Sequence, residues 1–101
     1  MTDLEYIRSM LTKAELWGQV AEEAAELAQA ALKMQRLCMP KNKPAKAPNV
    51  CADNLAEELI DVFVCVFVTG IIDVDEETVK TWDVMGKVHR WAERLRGDER
   101  A

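Results

Sequence analysis

Histidine occurs once in this chain and cysteine three times, with no C-x-x-C pair. That excludes the usual zinc spacings, and an odd number of thiols does not suit a disulfide framework. A carboxylate-bridged di-iron centre is a poor fit as well, because it needs Glu-x-x-His motifs and His89 stands in none. The three prolines all fall between residues 40 and 48, glycines number four, and β-branched alternation is missing. A chain so poor in breakers and in period-2 patterning is expected to be all-α. Basic charge is scarce too. The net charge of -5 argues against a duplex nucleic acid partner, which calls for a basic surface. No apolar run is long enough for a bilayer: the best stretch, Leu59 to Ile72, is interrupted by Asp61 and Thr69. The N-terminus mixes charges early and has no apolar segment of a secretory signal. The expectation is a cytoplasmic protein with reduced thiols and no membrane partner.

With 101 residues, half of them apolar and 31% charged, the composition is that of one soluble domain spanning 1–101. Thr2 or Asp3 can cap a short first helix ending near Leu11. Thr12-Lys13-Ala14-Glu15 has the form of a capping box and opens a second helix to about Leu37. Met39 to Asn49, with Pro40, Pro44, Pro48 and Lys41, Lys43, Lys46, is a basic linker that no helix crosses. A third helix is predicted to start between Asn49 and Asn54 and to end near Gly70. Asp73 to Glu76 caps a fourth that reaches about Arg96. The architecture expected is a four-helix bundle-like domain.

The third helix carries Leu59-Ile60-Asp61-Val62-Phe63-Val64-Cys65-Val66-Phe67-Val68, apolar on every side except at Asp61. Such a helix reads as central and fully covered. An ionised aspartate buried there needs a counter-charge, and no basic residue lies within a turn. Three further helices, one of them short, leave part of that surface wet, so at least a homodimer, or a tetramer built from dimers, is expected.

Acids recur at i, i+3 spacing as Glu23/Glu26 and Glu58/Asp61, which stacks each pair on one helix flank. On the second helix Leu16, Val20, Ala24, Leu27, Ala31 and Met34 form an apolar stripe. At 100° per residue Glu23 lies about 50° from its centre, Glu26 about 110° and Glu22 about 150°. Antiparallel packing of the two helices would gather four carboxylates, an arrangement that hard cations such as Mg2+ or Mn2+ neutralise. The alternative is a solvated acidic surface, with Asp61 held by Arg or Lys from another helix.

Glu22-Glu23-Ala24-Ala25-Glu26 followed by Glu58-Leu59-Ile60-Asp61 resembles the E-E-x-x-E … E-x-x-D signature of the all-α NTP pyrophosphatases, the MazG-like group. The resemblance covers roughly Trp17 to Thr69, and the Lys/Pro linker makes the gap between its halves slightly longer than the family's usual one. It implies hydrolysis of (d)NTP between the α and β phosphates to (d)NMP and pyrophosphate, in nucleotide-pool housekeeping. Glu23, Glu26, Glu58 and Asp61 would then be the catalytic, magnesium-holding residues, with Glu22 a possible general base. Lys33, Lys87, Arg90 and Arg94 are candidate contacts to the substrate's phosphates, with Lys80 one heptad before Lys87. Lys87, Arg90 and Arg94 read equally as the solvated stripe of a helix whose core side is Val84, Val88, Trp91 and Leu95. Trp17, Trp82 and Trp91 are buried anchors or stacking platforms, and His89 is structural. Two rivals share these features: a phosphoribosyl-ATP pyrophosphohydrolase, and a non-catalytic helical dimerisation module.

Overall fold

The computed structural model describes residues 1–72 and 75–100, with side chains described through residue 97. Every regular element among them is helical: α1 (Asp3–Met10), α2 (Lys13–Leu37), α3 (Pro48–Thr69), α4 (Glu76–Lys80) and α5 (Val84–Arg100). The first two helices open on capping boxes, Thr2 with Glu5 and Thr12 with Glu15, in which side chain and backbone satisfy each other's orphan groups. Helix α2 ends at Leu37, as its sequence predicts. Helix α3 starts earlier than expected, at Pro48, because a proline at the first helical position has no N–H to leave unpaired.

The predicted fourth helix is two. Asp83 adopts φ 49°, a left-handed conformation that breaks the helix between α4 and α5. Its carboxylate then accepts from the Gly86 N–H at 3.2 Å, which restarts the helix, and the second piece runs past Arg96. On the N-terminal side, Asp75 caps α4 by accepting from the Thr78 N–H at 2.7 Å. Asp73, part of the predicted cap, lies outside the described residues.

Helices α2 and α3 form an antiparallel pair that is the body of the molecule. The start of α2 meets the end of α3, where Lys13 Nζ donates to the Thr69 carbonyl. From α1, Arg8 Nε reaches the Val68 carbonyl at 2.9 Å, and one guanidinium nitrogen reaches that of Phe67 at 3.4 Å. Two cations therefore cover the carbonyls at the negative end of α3, where that of Phe67 also accepts from the Gly70 N–H at 3.0 Å. Gly70 follows in the left-handed conformation, φ 81°. The buried side chains run along the α2–α3 seam: Leu16, Ala30, Cys51, Val68 and Thr69.

The central helix is not covered on all sides within one chain. Leu59, Ile60, Phe63 and Val64 of α3 are exposed, and so is Asp61, which the sequence pattern places in the interior. The reason lies in α5. Among the described residues, packing between helices is confined to α2 with α3 and α1 with α3. The C-terminal segment is tied back by an edge-on contact of Trp82 with Phe63, ring centroids 6.5 Å apart. Beyond it α5 carries Val84, Val88, Trp91 and Leu95 as an exposed apolar face rather than a core side, with Trp91 61% exposed. The radius of gyration, 17.8 Å, exceeds the roughly 13 Å of a compact chain this long.

Candidate metal centre

The seam between α2 and α3 is built on a face of α2 turned from the one predicted. Ala30 is buried while Ala24 and Ala31 are exposed, and Leu16, Val20, Glu23, Leu27 and Met34 complete the covered stripe. At 100° per residue this is a rotation of roughly 30° toward the acids. Glu23 thus lies in the middle of the helix–helix contact, Glu26 on its border and Glu22 in solvent. The small side chain of Ala30, 3% exposed, lets α3 approach there.

Opposite Glu23, nearly three turns into α3, stands Glu58. Carboxylate oxygens of Glu23, Glu26 and Glu58 lie within 4.8 Å of one another. Oε2 of Glu23 and Oε2 of Glu58 are both buried, and neither has a hydrogen-bond donor. Buried polar atoms are nearly always paired, so two orphaned oxygens on neighbouring carboxylates call for a cation or a proton. The electrostatics agree. Burial pushes the Glu23 carboxyl above its ordinary range, followed by repulsion from Glu26, Asp61 and Glu58. Glu58 is raised by burial first, then by Glu26 and Asp61. The Cys65 thiol beside them is also raised, by burial and by the fields of Glu23 and Asp61.

Of the four acids singled out in the sequence, three form a triad, and the fourth, Asp61, contributes to its field from an exposed position one turn along. Glu22 is outside the cluster and lines a groove with Leu11, Glu15, Gly18 and Gln19. The donors are all carboxylate oxygens, the chemistry that magnesium or manganese prefers. Orphaned oxygens and an all-oxygen donor set fit such an ion.

The predicted phosphate contacts fall elsewhere. Lys33 is half-buried two turns beyond Glu26 and lines a small cavity with Arg36, Pro44, Ala45 and Lys46. Lys87 and Arg94 border a groove of about 560 Å3 on α5, together with Trp82, Val84, Val88 and Trp91. Arg90 turns back to Asp83 at 3.5 Å, and Lys80 to Glu76 at 3.5 Å. Because α5 packs on neither acid-bearing helix among the described residues, Lys87, Arg90 and Arg94 do not meet the triad within one chain. The tryptophans are not buried anchors here: Trp17 and Trp91 are exposed and Trp82 half-buried, while His89 sits exposed on α5. The sequence pattern did not signal Arg36 as a neighbour of the Pro/Lys linker, since that meeting depends on how the linker folds back.

Comparison of the chain with protein-family models, with curated proteins and with solved structures finds no match. Among the described residues no helix is long and apolar enough to cross a membrane.

Proposed function

We propose that this chain is a magnesium-dependent nucleoside triphosphate pyrophosphohydrolase of the MazG-like kind, cleaving (d)NTPs between the α and β phosphates. The observation that carries this reading is the triad of Glu23, Glu26 and Glu58, two of whose carboxylates hold a buried oxygen lacking any donor. A merely structural acidic patch would gain by exposing those oxygens to water.

Glu23, Glu26 and Glu58 would hold the ion, with Asp61 completing the negative field. Magnesium bound there would supply charge neutralisation for the triphosphate and a water of lowered pKa. The chain's own residues do the rest. The raised carboxyls of Glu23 and Glu58 hold protons more tightly than free glutamate when no cation is near, and release them when one binds. Asp61, exposed beside the triad, would then be the proton acceptor rather than Glu22, which lies outside the cluster.

A homo-oligomer belongs to the same proposal. The uncovered apolar faces of α3 and α5 are what a second copy would bury, and a closed dimer would be the simplest assembly. It is also the route by which Lys87 or Arg94 of one copy would approach the acids of another.

The test is turnover of a panel of NTPs and dNTPs with magnesium, products resolved chromatographically, beside Glu58→Gln. Monophosphate and pyrophosphate from the wild type, lost in the variant, are expected. Release of inorganic phosphate instead would refute α–β cleavage. Silence on every NTP with activity on phosphoribosyl-ATP would move the substrate to histidine biosynthesis. Silence on both would leave the dimerisation module.

A further inference from the structure

Charge is segregated along this chain to a degree that its net value hides. From Leu27 to Ala52 there is no aspartate or glutamate, while Lys33, Arg36, Lys41, Lys43 and Lys46 all fall there. The remaining residues hold eight basic against eighteen acidic side chains. Folding concentrates the basic segment further. The linker turns back along the end of α2, with Asn42 in the left-handed conformation, φ 63°, and Lys43 Nζ donating to the Leu37 carbonyl at 2.9 Å. Its far end is fixed where the Lys46 carbonyl meets Cys51 Sγ at 3.7 Å, one turn into α3.

Between linker and helix this leaves a cavity of about 190 Å3, lined by Lys33, Arg36, Pro44, Ala45 and Lys46. Lys33 and Arg36 are half-buried, and among the described residues none of the three cations pairs with a carboxylate. Three like charges gathered around a concavity repel, and part of their hydration is lost; an anion between them reverses both effects.

We infer that this cavity is a binding site for the phosphates of a di- or triphosphate. The lining sets the ligand class. Arg36 offers a planar fork suited to phosphate oxygens, and the two lysines add point charges. The cavity is smaller than the roughly 300–1,000 Å3 typical of sites for drug-sized ligands, so it takes a small charged group rather than a whole nucleoside. No aromatic side chain lines it, which removes the stacking platform that a single-stranded nucleic acid requires. Proline stiffens the linker wall, so less ordering is needed on binding. The site stands apart from the metal triad and does not depend on the hydrolase reading. Where that reading also holds, the two are neighbours on one flank, since Lys33 lies two turns, about 10 Å, along α2 from Glu26.

The experiment is calorimetric titration of the full chain with inorganic tripolyphosphate in EDTA, at low and at physiological ionic strength. The variants are Lys33→Gln/Arg36→Gln/Lys46→Gln, Arg96→Gln as a control for surface charge, and Glu58→Gln. The triple variant is expected to bind at least tenfold more weakly, with Arg96→Gln unchanged. Glu58→Gln should bind as tightly as the wild type even if it has no turnover, which separates this site from the hydrolase proposal. ATP binding tighter than tripolyphosphate would make the ligand a nucleotide's tail, and equal or weaker binding would make it free polyphosphate. Absence of tripolyphosphate binding, or binding that the triple variant keeps, overturns the inference. Circular dichroism of the triple variant should match the wild type, since these side chains cover no core.

Discussion

Replacing Glu58 by glutamine should make the order in which variant and wild type melt depend on magnesium, and the size of the effect follows from the triad. In EDTA the wild type holds three carboxylates within 4.8 Å, two of them with a buried oxygen lacking a donor. Removing one charge relieves repulsion, so the variant should melt higher than the wild type without metal. Adding magnesium reverses the order. An ion that binds only the folded state, at a hundredfold over its Kd, stabilises by about 2.7 kcal/mol. For a domain of about 100 residues that raises Tm by about 11–22 °C. If loss of the Glu58 ligand weakens binding a hundredfold, the same magnesium adds only about 0.4 kcal/mol, or about 2–3 °C. Differential scanning calorimetry on both proteins, with EDTA and with magnesium, makes the four comparisons. The reasoning also fixes the pH dependence. Glu23 and Glu58 sit above the ordinary value of 4.5, so the folded apo protein binds protons more tightly than the unfolded chain. Their contribution is complete below 4.5, where the unfolded chain has also taken up its protons, and is lost as pH rises through the raised values. Apo stability should therefore climb as pH falls from neutral toward 4.5, whereas the gain from magnesium should shrink over the same interval. A wild type indifferent to magnesium, or a variant that responds equally, would refute the metal centre.

Other outcomes follow from the scaffold. Leu16→Ala should cost about 2–4 kcal/mol in chemical denaturation, because Leu16 is 5% exposed and seals the seam beside Val64, Cys65 and Val68. Gly70→Ala should cost about 1–2 kcal/mol, since φ is 81° and a new Cβ would stand 3.4 Å from the Arg8 guanidinium that caps α3; Gly70→Asn, which tolerates that conformation better, should cost less. Trp91→Asp, on the uncovered face of α5, should leave the helical content intact and shift light-scattering mass toward the monomer. An unchanged mass would show that α5 is not part of the assembly.

The individual helices were legible without coordinates because their signals are local. A capping threonine with glutamate three residues on starts α2 at Lys13, and three prolines in nine residues end any helix before Pro48. The pairing of Glu23, Glu26 and Glu58 was legible for a similar reason: acids at i, i+3 on amphipathic helices mark the border of a contact face. Less visible was the break at Asp83, where one residue in a left-handed conformation splits the segment; its sequence trace is a shift of apolar phase, Val79 and Trp82 lying on the opposite side from Val84, Val88, Trp91 and Leu95. The course of the Pro/Lys linker was hidden as well, since nothing local to Arg36 says that Lys46 will fold back beside it.

What the sequence by itself determined is therefore the helical repertoire and the identity of the acids, both consequences of short-range periodicity and capping. The tertiary structure decided which face of α2 is covered, and turned it toward Glu23 because Ala30 permits the close approach of α3. It also decided that Asp61 stays in solvent and that α5 stands clear with its apolar side open. Those outcomes depend on which surfaces come together, and periodicity along one helix says nothing about the surface opposite it.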